Sequence, residues 1–174
     1  VHRDVAARNV MIVDKAYKLG DFGLSRRSGD KDYYRMTEAS APLPVRWMAP
    51  ETLLHGLSTA AADRWSFGVL LWEVFTFAGA LYVGVPDHKV LEHVLGGHTL
   101  PRPPGCPAAA HALMERCWQL VPEARPAATE AAAVMQALAE AAGTDEPGGA
   151  AGQPAAAPSN QGRAPTAASI YEDD

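Results

Sequence analysis

Residues 65–77 constrain the fold more than any other part of the chain. The stretch carries Trp65, Phe67, Val69, Leu70, Leu71, Trp72, Val74 and Phe75, and so is apolar on every side. A helix with one apolar stripe can lie on a surface, but a helix that is hydrophobic all round has to be enclosed. It is therefore expected to be the central helix of the domain. Three further segments can supply the enclosure. Residues 88–95 are amphipathic and follow the start signal Pro86-Asp87; residues 108–118 follow Pro107 and carry Leu113, Cys117 and Trp118 for burial. Residues 127–142 are alanine-rich, with Pro126 at their start and Gly143 as a stop. Between them, Leu100-Pro101-Arg102-Pro103-Pro104-Gly105 predicts a rigid loop.

Composition narrows the functional classes. Residues 143–174 hold five acids against the single base Arg163, so this short segment carries −4 of the total charge of −5. The remainder is nearly neutral and shows no basic stripe, which argues against nucleic acid as a partner. Cys106 and Cys117 are too few and too dispersed for a disulfide framework or a zinc site, and read as buried thiols. His55, His88, His93, His98 and His111 show no ligand spacing and read as surface or satisfied histidines. No apolar run reaches the ~18 residues of a membrane span.

The chemistry is concentrated at the start. His2-Arg3-Asp4-Val5-Ala6-Ala7-Arg8-Asn9 is followed by Asp21-Phe22-Gly23, and between them Val10-Met11-Ile12-Val13, Asp14-Lys15 and Tyr17-Lys18-Leu19 read as a short hairpin. The first run fits H-R-D-x-x-x-x-N and the second D-F-G. Phosphoryl transfer needs a carboxylate to take or orient the attacking hydroxyl's proton, and hard oxygen ligands to hold Mg²⁺ against phosphates. Asp4, Asn9 and Asp21 supply that set. With Ala49-Pro50-Glu51 downstream, the chain resembles a protein kinase.

The resemblance implies the C-terminal lobe of the α+β protein kinase fold, mainly α with a small β-hairpin. The N-terminal lobe is expected to be absent, because no G-x-G-x-x-G or V-A-I-K-like strand stands in the sequence. Residues 1–142 would be that partial kinase domain, and 143–174 a disordered tail in which Gly, Pro and Ala make up 17 of 32 residues. ATP and Mg²⁺ are the implied cofactors. Asp4 resembles the family's general base, Arg8 a cation placed as in tyrosine kinases where serine/threonine kinases carry a Lys two residues after the Asp, and Asn9 and Asp21 the metal- and cofactor-binding pair. Pro44-Val45-Arg46-Trp47-Met48-Ala49-Pro50-Glu51 is similar to the tyrosine-kinase substrate platform, with Pro44 and Trp47 shaping it.

Residues 24–46 are polar, without helical period, and predict a mobile loop. Within it, Tyr33 and Tyr34 resemble the paired autophosphorylation site of receptor tyrosine kinases, insulin-receptor-like ones especially, and Arg3 with Arg26, Arg27 and Arg35 could receive the phosphates. Asp63 resembles the central-helix Asp that binds the catalytic-loop backbone, and Glu51 and Arg125 resemble the family's buried ion pair. Arg64 and Leu81-Tyr82-Val83-Gly84, where the family has an apolar residue and a proline-bearing turn, depart from the pattern, as do Val121, Ala124 and Ala127-Ala128. These are packing or loop positions, while the catalytic set is intact. Implied partners are tyrosine-bearing protein substrates, a second copy for trans-autophosphorylation, and phosphotyrosine-binding domains at Tyr171, which sits between Ile170 and three acids. The cytoplasmic side of a plasma-membrane receptor is the implied location. The alternatives are a pseudokinase, or a truncated scaffold that docks partners through its tail.

Overall fold

The computed structural model describes residues 1–25, the backbone of 34–35, and residues 43–143. The enclosed helix is present as α2, Ala60–Phe75, begun by Thr59, whose hydroxyl accepts the Ala62 N–H at 3.2 Å. Around it stand α1 (Pro50–His55), α3 (Val90–Leu95, preceded by a helical turn at Asp87–Lys89), α4 (Ala108–Cys117) and α5 (Ala128–Gly143). The core runs along α2 and α4, where Trp65, Val69, Leu113, Met114 and Cys117 are fully enclosed. Burial pushes the Cys117 thiol up to about 11, and both cysteines are free and buried.

The sequence missed α1. Its signals were present, with Pro50 in its first turn and Gly56 closing it at φ 66°; six residues are too few for a periodic pattern. At the other end, the all-apolar reading of 65–77 runs too far. The helix stops at Phe75, Val74 is 56% exposed, and Phe77 is 96% exposed in a left-handed conformation.

Two small antiparallel ladders complete the fold. β1 (Val10–Val13) pairs with β2 (Ala16–Leu19) around the two-residue loop Asp14-Lys15. Both loop residues have positive φ, 51° and 64°, as a type I′ turn requires to match the strand twist. β3 (Tyr34–Arg35) pairs with β4 (Leu57–Ser58), so part of the segment expected to be a loop is strand. Another part is a helical turn at Val45–Trp47. Residues 26–33, 36–42 and 144–174, with the expectations of a mobile loop and a disordered tail, lie outside the described residues.

Gly68 sets how closely α2 and α4 approach. A Cβ there would stand 2.7 Å from Trp118 Nε1 and 2.8 Å from Cys117 Cβ, and neither group can retreat from the core. Gly68→Ala is expected to destabilise the protein by ~1–3 kcal/mol, the usual cost of overpacking, despite alanine's better helix propensity. Thermal unfolding checks this, and an unchanged or higher Tm would contradict the close approach.

Candidate active site

The segment from His2 to Asn9 is anchored on α2. Asp63, in the first turn of that helix, accepts the backbone N–H of His2 at 2.6 Å and of Arg3 at 2.8 Å. Arg3 is left-handed at φ 78°, a conformation costing a side-chain-bearing residue ~1–3 kcal/mol. The two bonds to one carboxylate hold the chain in that bend, immediately before Asp4. Further along, the buried Glu73 of α2 accepts the Ala7 N–H at 2.9 Å.

Between these anchors, Asp4 meets both other candidates on its own loop. A helical turn at Ala7–Asn9 carries Arg8 and Asn9 back over it. Arg8 Nη2 forms an ion pair with Asp4 Oδ1. Asn9 Nδ2 donates to Asp4 Oδ2 at 2.8 Å and to the Asp4 carbonyl at 2.7 Å. With its NH₂ so engaged, the Asn9 carbonyl oxygen is the face left to accept or to ligate. Asp4 is thus fixed by a donor on each oxygen.

The Asp21-Phe22-Gly23 motif is tied to this loop through backbone. The Gly20 N–H donates to the Asn9 carbonyl at 2.7 Å, and His2 Nε2 lies 3.0 Å from the Gly20 carbonyl. The Asp4 N–H reaches His2 Nδ1 at 3.3 Å, so the tautomer with its proton on Nε2 satisfies both contacts. The His2 ring meets the Phe22 ring edge-on at 4.9 Å. Asp21 is left-handed at φ 56°, and its Oδ1 accepts the Gly23 N–H at 3.2 Å. Arg3 Nη1 donates to the Leu24 carbonyl at 3.1 Å.

The 44–51 octet forms the adjoining wall. Pro44 precedes the Val45–Trp47 turn, and the Ser66 hydroxyl of α2 holds the Trp47 carbonyl at 2.7 Å. The Arg8 guanidinium lies 4.5 Å from the centre of the Trp47 ring, so one cation touches both Asp4 and the wall. Glu51 and Arg125 form a two-pronged pair at 2.7 and 2.8 Å. The Arg125 side chain is fully buried and also donates to the Gln119 and Ala61 carbonyls at 2.9 Å each.

Three residues that support this geometry were not identified from the sequence. His2 was seen only as part of its motif. Arg46 binds the Leu81, Tyr82 and Val85 carbonyls at 2.5, 3.3 and 2.7 Å and Asp87 at 2.8 Å, with no signal in the sequence. Glu73 did carry one: it is the sole charged residue of the apolar stretch 65–77. Tyr33 and Tyr171 lie outside the described residues, and Tyr34 enters only through its backbone pairing with Ser58.

A bent H-R-D loop held on a buried helix, an adjoining D-F-G and a buried Glu–Arg pair below them define the C-terminal lobe of a protein kinase. The family model for protein tyrosine and serine/threonine kinases matches residues 1–135, and the chain belongs to that family. It is 49% identical to the insulin receptor of Xenopus laevis over 127 residues, 72% of this chain and 9% of that protein. It is 48% identical to the insulin receptor-related protein of Homo sapiens over 130 residues, 74% of this chain and 10% of that protein. The chain therefore spans about a tenth of the length of these relatives.

Glu51→Ala is expected to cost ~3–5 kcal/mol, because it leaves the Arg125 guanidinium buried without its counter-charge. Denaturant unfolding measures this, and a loss within ~0.5 kcal/mol would show that the pair is no more than a surface contact.

Proposed function

We propose that the chain is the C-terminal catalytic lobe, residues 1–142, of a receptor-type protein tyrosine kinase. The observation that carries this reading is Asp4, held by Arg8 and Asn9 while Arg8 also lies against Trp47. Asp4 orients the tyrosine hydroxyl of a protein substrate and takes its proton. Ala6 stands where serine/threonine kinases carry a Lys and the cation is at Arg8, the arrangement of tyrosine kinases, while the wall from Pro44 to Trp47 supports the peptide that bears the phenol. Both relatives carry "insulin receptor" in their names, which supports the receptor-type reading. On that reading the chain works on the cytoplasmic side of a plasma membrane. Among the described residues no helix is long and apolar enough to cross one.

The donor set fits Mg²⁺. Asn9 turns its NH₂ to Asp4 and keeps a carbonyl oxygen; Asp21 is exposed and has spent one oxygen on Gly23. Among the described residues no group of three or more His, Cys, Asp or Glu side chains could hold a metal ion. Mg²⁺ commonly takes one or two protein oxygens together with substrate phosphates, and Asn9 and Asp21 supply two. Asn9 and Asp21 would hold the ion against ATP, where it would supply neutralising charge to the phosphates.

These 174 residues contain no phosphate-covering Gly-rich loop or its Lys, so alone they should transfer phosphate only at background. Expressed from its complete open reading frame, the protein should phosphorylate a tyrosine peptide and its own second copy at Tyr33 and Tyr34. Tyr171 would then serve phosphotyrosine-binding domains. Asp4→Asn should lower kcat by ~10³-fold or more with nucleotide binding retained. Steady-state kinetics and phosphosite mapping test this. A near-wild-type rate for Asp4→Asn would refute the assignment, and so would phosphate found only on serine or threonine.

A further inference from the structure

Glu73 stands where a carboxylate should not be if stability were its purpose. It lies in the last full turn of α2, where the helix dipole disfavours negative charge, and it is 6% exposed in an otherwise apolar stretch. Both conditions oppose an acid. What the side chain does there is accept the Ala7 N–H at 2.9 Å. Asp63, ten residues earlier on the same helix, accepts from His2 and Arg3. Ten helical residues span ~15 Å, so the loop is fastened at two separated points of one rigid rod. Asp4 lies between the fastenings, and Ala6, just before the second, is extended at φ −159° and ψ 158°.

We propose that Glu73 is a positioning residue for Asp4. It fixes Ala7, the first residue of the turn that carries Arg8 and Asn9, and so sets where the two groups that hold the Asp4 carboxylate arrive. Without it, Ala7 keeps its chain connection, but the turn can shift along α2, and Arg8 and Asn9 shift with it. The loss is one of alignment, not of any group that touches substrate. The proposal rests on the kinase reading above.

The test uses the protein expressed from its complete open reading frame. Glu73→Met fills the site with an apolar side chain of similar length and removes the acceptor. Glu73→Gln keeps an acceptor oxygen without the charge. Ala7→Pro removes the donor from the other side; its ring suits a first helical position preceded by an extended residue. Glu73→Met is expected to lower kcat by ~10²-fold, as a displacement of about 1 Å does. The KM for ATP and the Tm should change little, and Glu73→Gln should restore most of kcat. Ala7→Pro should reproduce the loss, and the double variant should be no worse than either single one, because both break the same bond.

Hydrogen exchange at the Ala7 amide gives a readout independent of turnover. It should quicken in Glu73→Met and not in Glu73→Gln, while α2 core amides stay protected. Wild-type kcat in Glu73→Met overturns the proposal. So does a loss that merely follows the folded fraction, or Ala7 exchange that does not change. If Glu73→Met does not fold, Glu73→Gln and Ala7→Pro decide by the same criteria. If the wild-type protein itself transfers no phosphate, the kinase reading has failed, and the Ala7 exchange alone decides whether Glu73 holds the loop.

Discussion

The site depends on the Asp63 carboxylate more than on any other single group. Its two hydrogen bonds to consecutive amides hold Arg3 in a left-handed bend that a side chain resists. Asp4 follows directly from that bend, before the second fastening at Glu73. α2 can bear this load because it is enclosed: Trp65, Val69 and their neighbours fix its rotation about its own axis against α4. A surface helix could offer a carboxylate at the same sequence position, but it would not hold that carboxylate to a fraction of an ångström.

A second layer of fixing comes from arginines, and each uses the planar fork in a different way. Arg125 buries the whole group, meets Glu51 with Nη1 and Nη2, and donates from Nε and again from Nη1 to carbonyls. Arg8 gives Nη2 to Asp4 while its guanidinium lies over the Trp47 ring. Arg46 gathers the carbonyls of a loop. A lysine could replace the charge at each position. It could not replace the geometry, because an ammonium has neither a flat face nor paired parallel donors.

How much of this was legible depended on the range of the interaction. The helices read at 65–77, 88–95, 108–118 and 127–142 and the hairpin at 10–19 were visible because apolar patterning and punctuation by Pro and Gly are local, although the first turn of α2, from Ala60, carried no such pattern. Asp4, Arg8 and Asn9 could be placed together because they share one loop and a fixed spacing. Asp63, Glu51 and Arg125 were visible only through resemblance, since nothing local says that residues 51 and 125 touch. Arg46 and the β3–β4 pairing stayed hidden for the same reason: two residues of strand, or one cation in a polar stretch, have no pattern of their own. Phe77 was misread because hydrophobicity alone does not say where a helix ends.

In the loop at 81–85, order is supplied by a distant side chain in place of the chain itself. Proline restricts a turn in every state of the protein, so part of the entropy of ordering is removed before folding begins. Here the segment Leu81-Tyr82-Val83-Gly84 lacks proline, and Arg46 draws its carbonyls together only once both have arrived. The loop's rigidity is therefore borrowed from the turn at Val45–Trp47. A movement of that turn would be transmitted to a surface far away in sequence, without any hinge of its own.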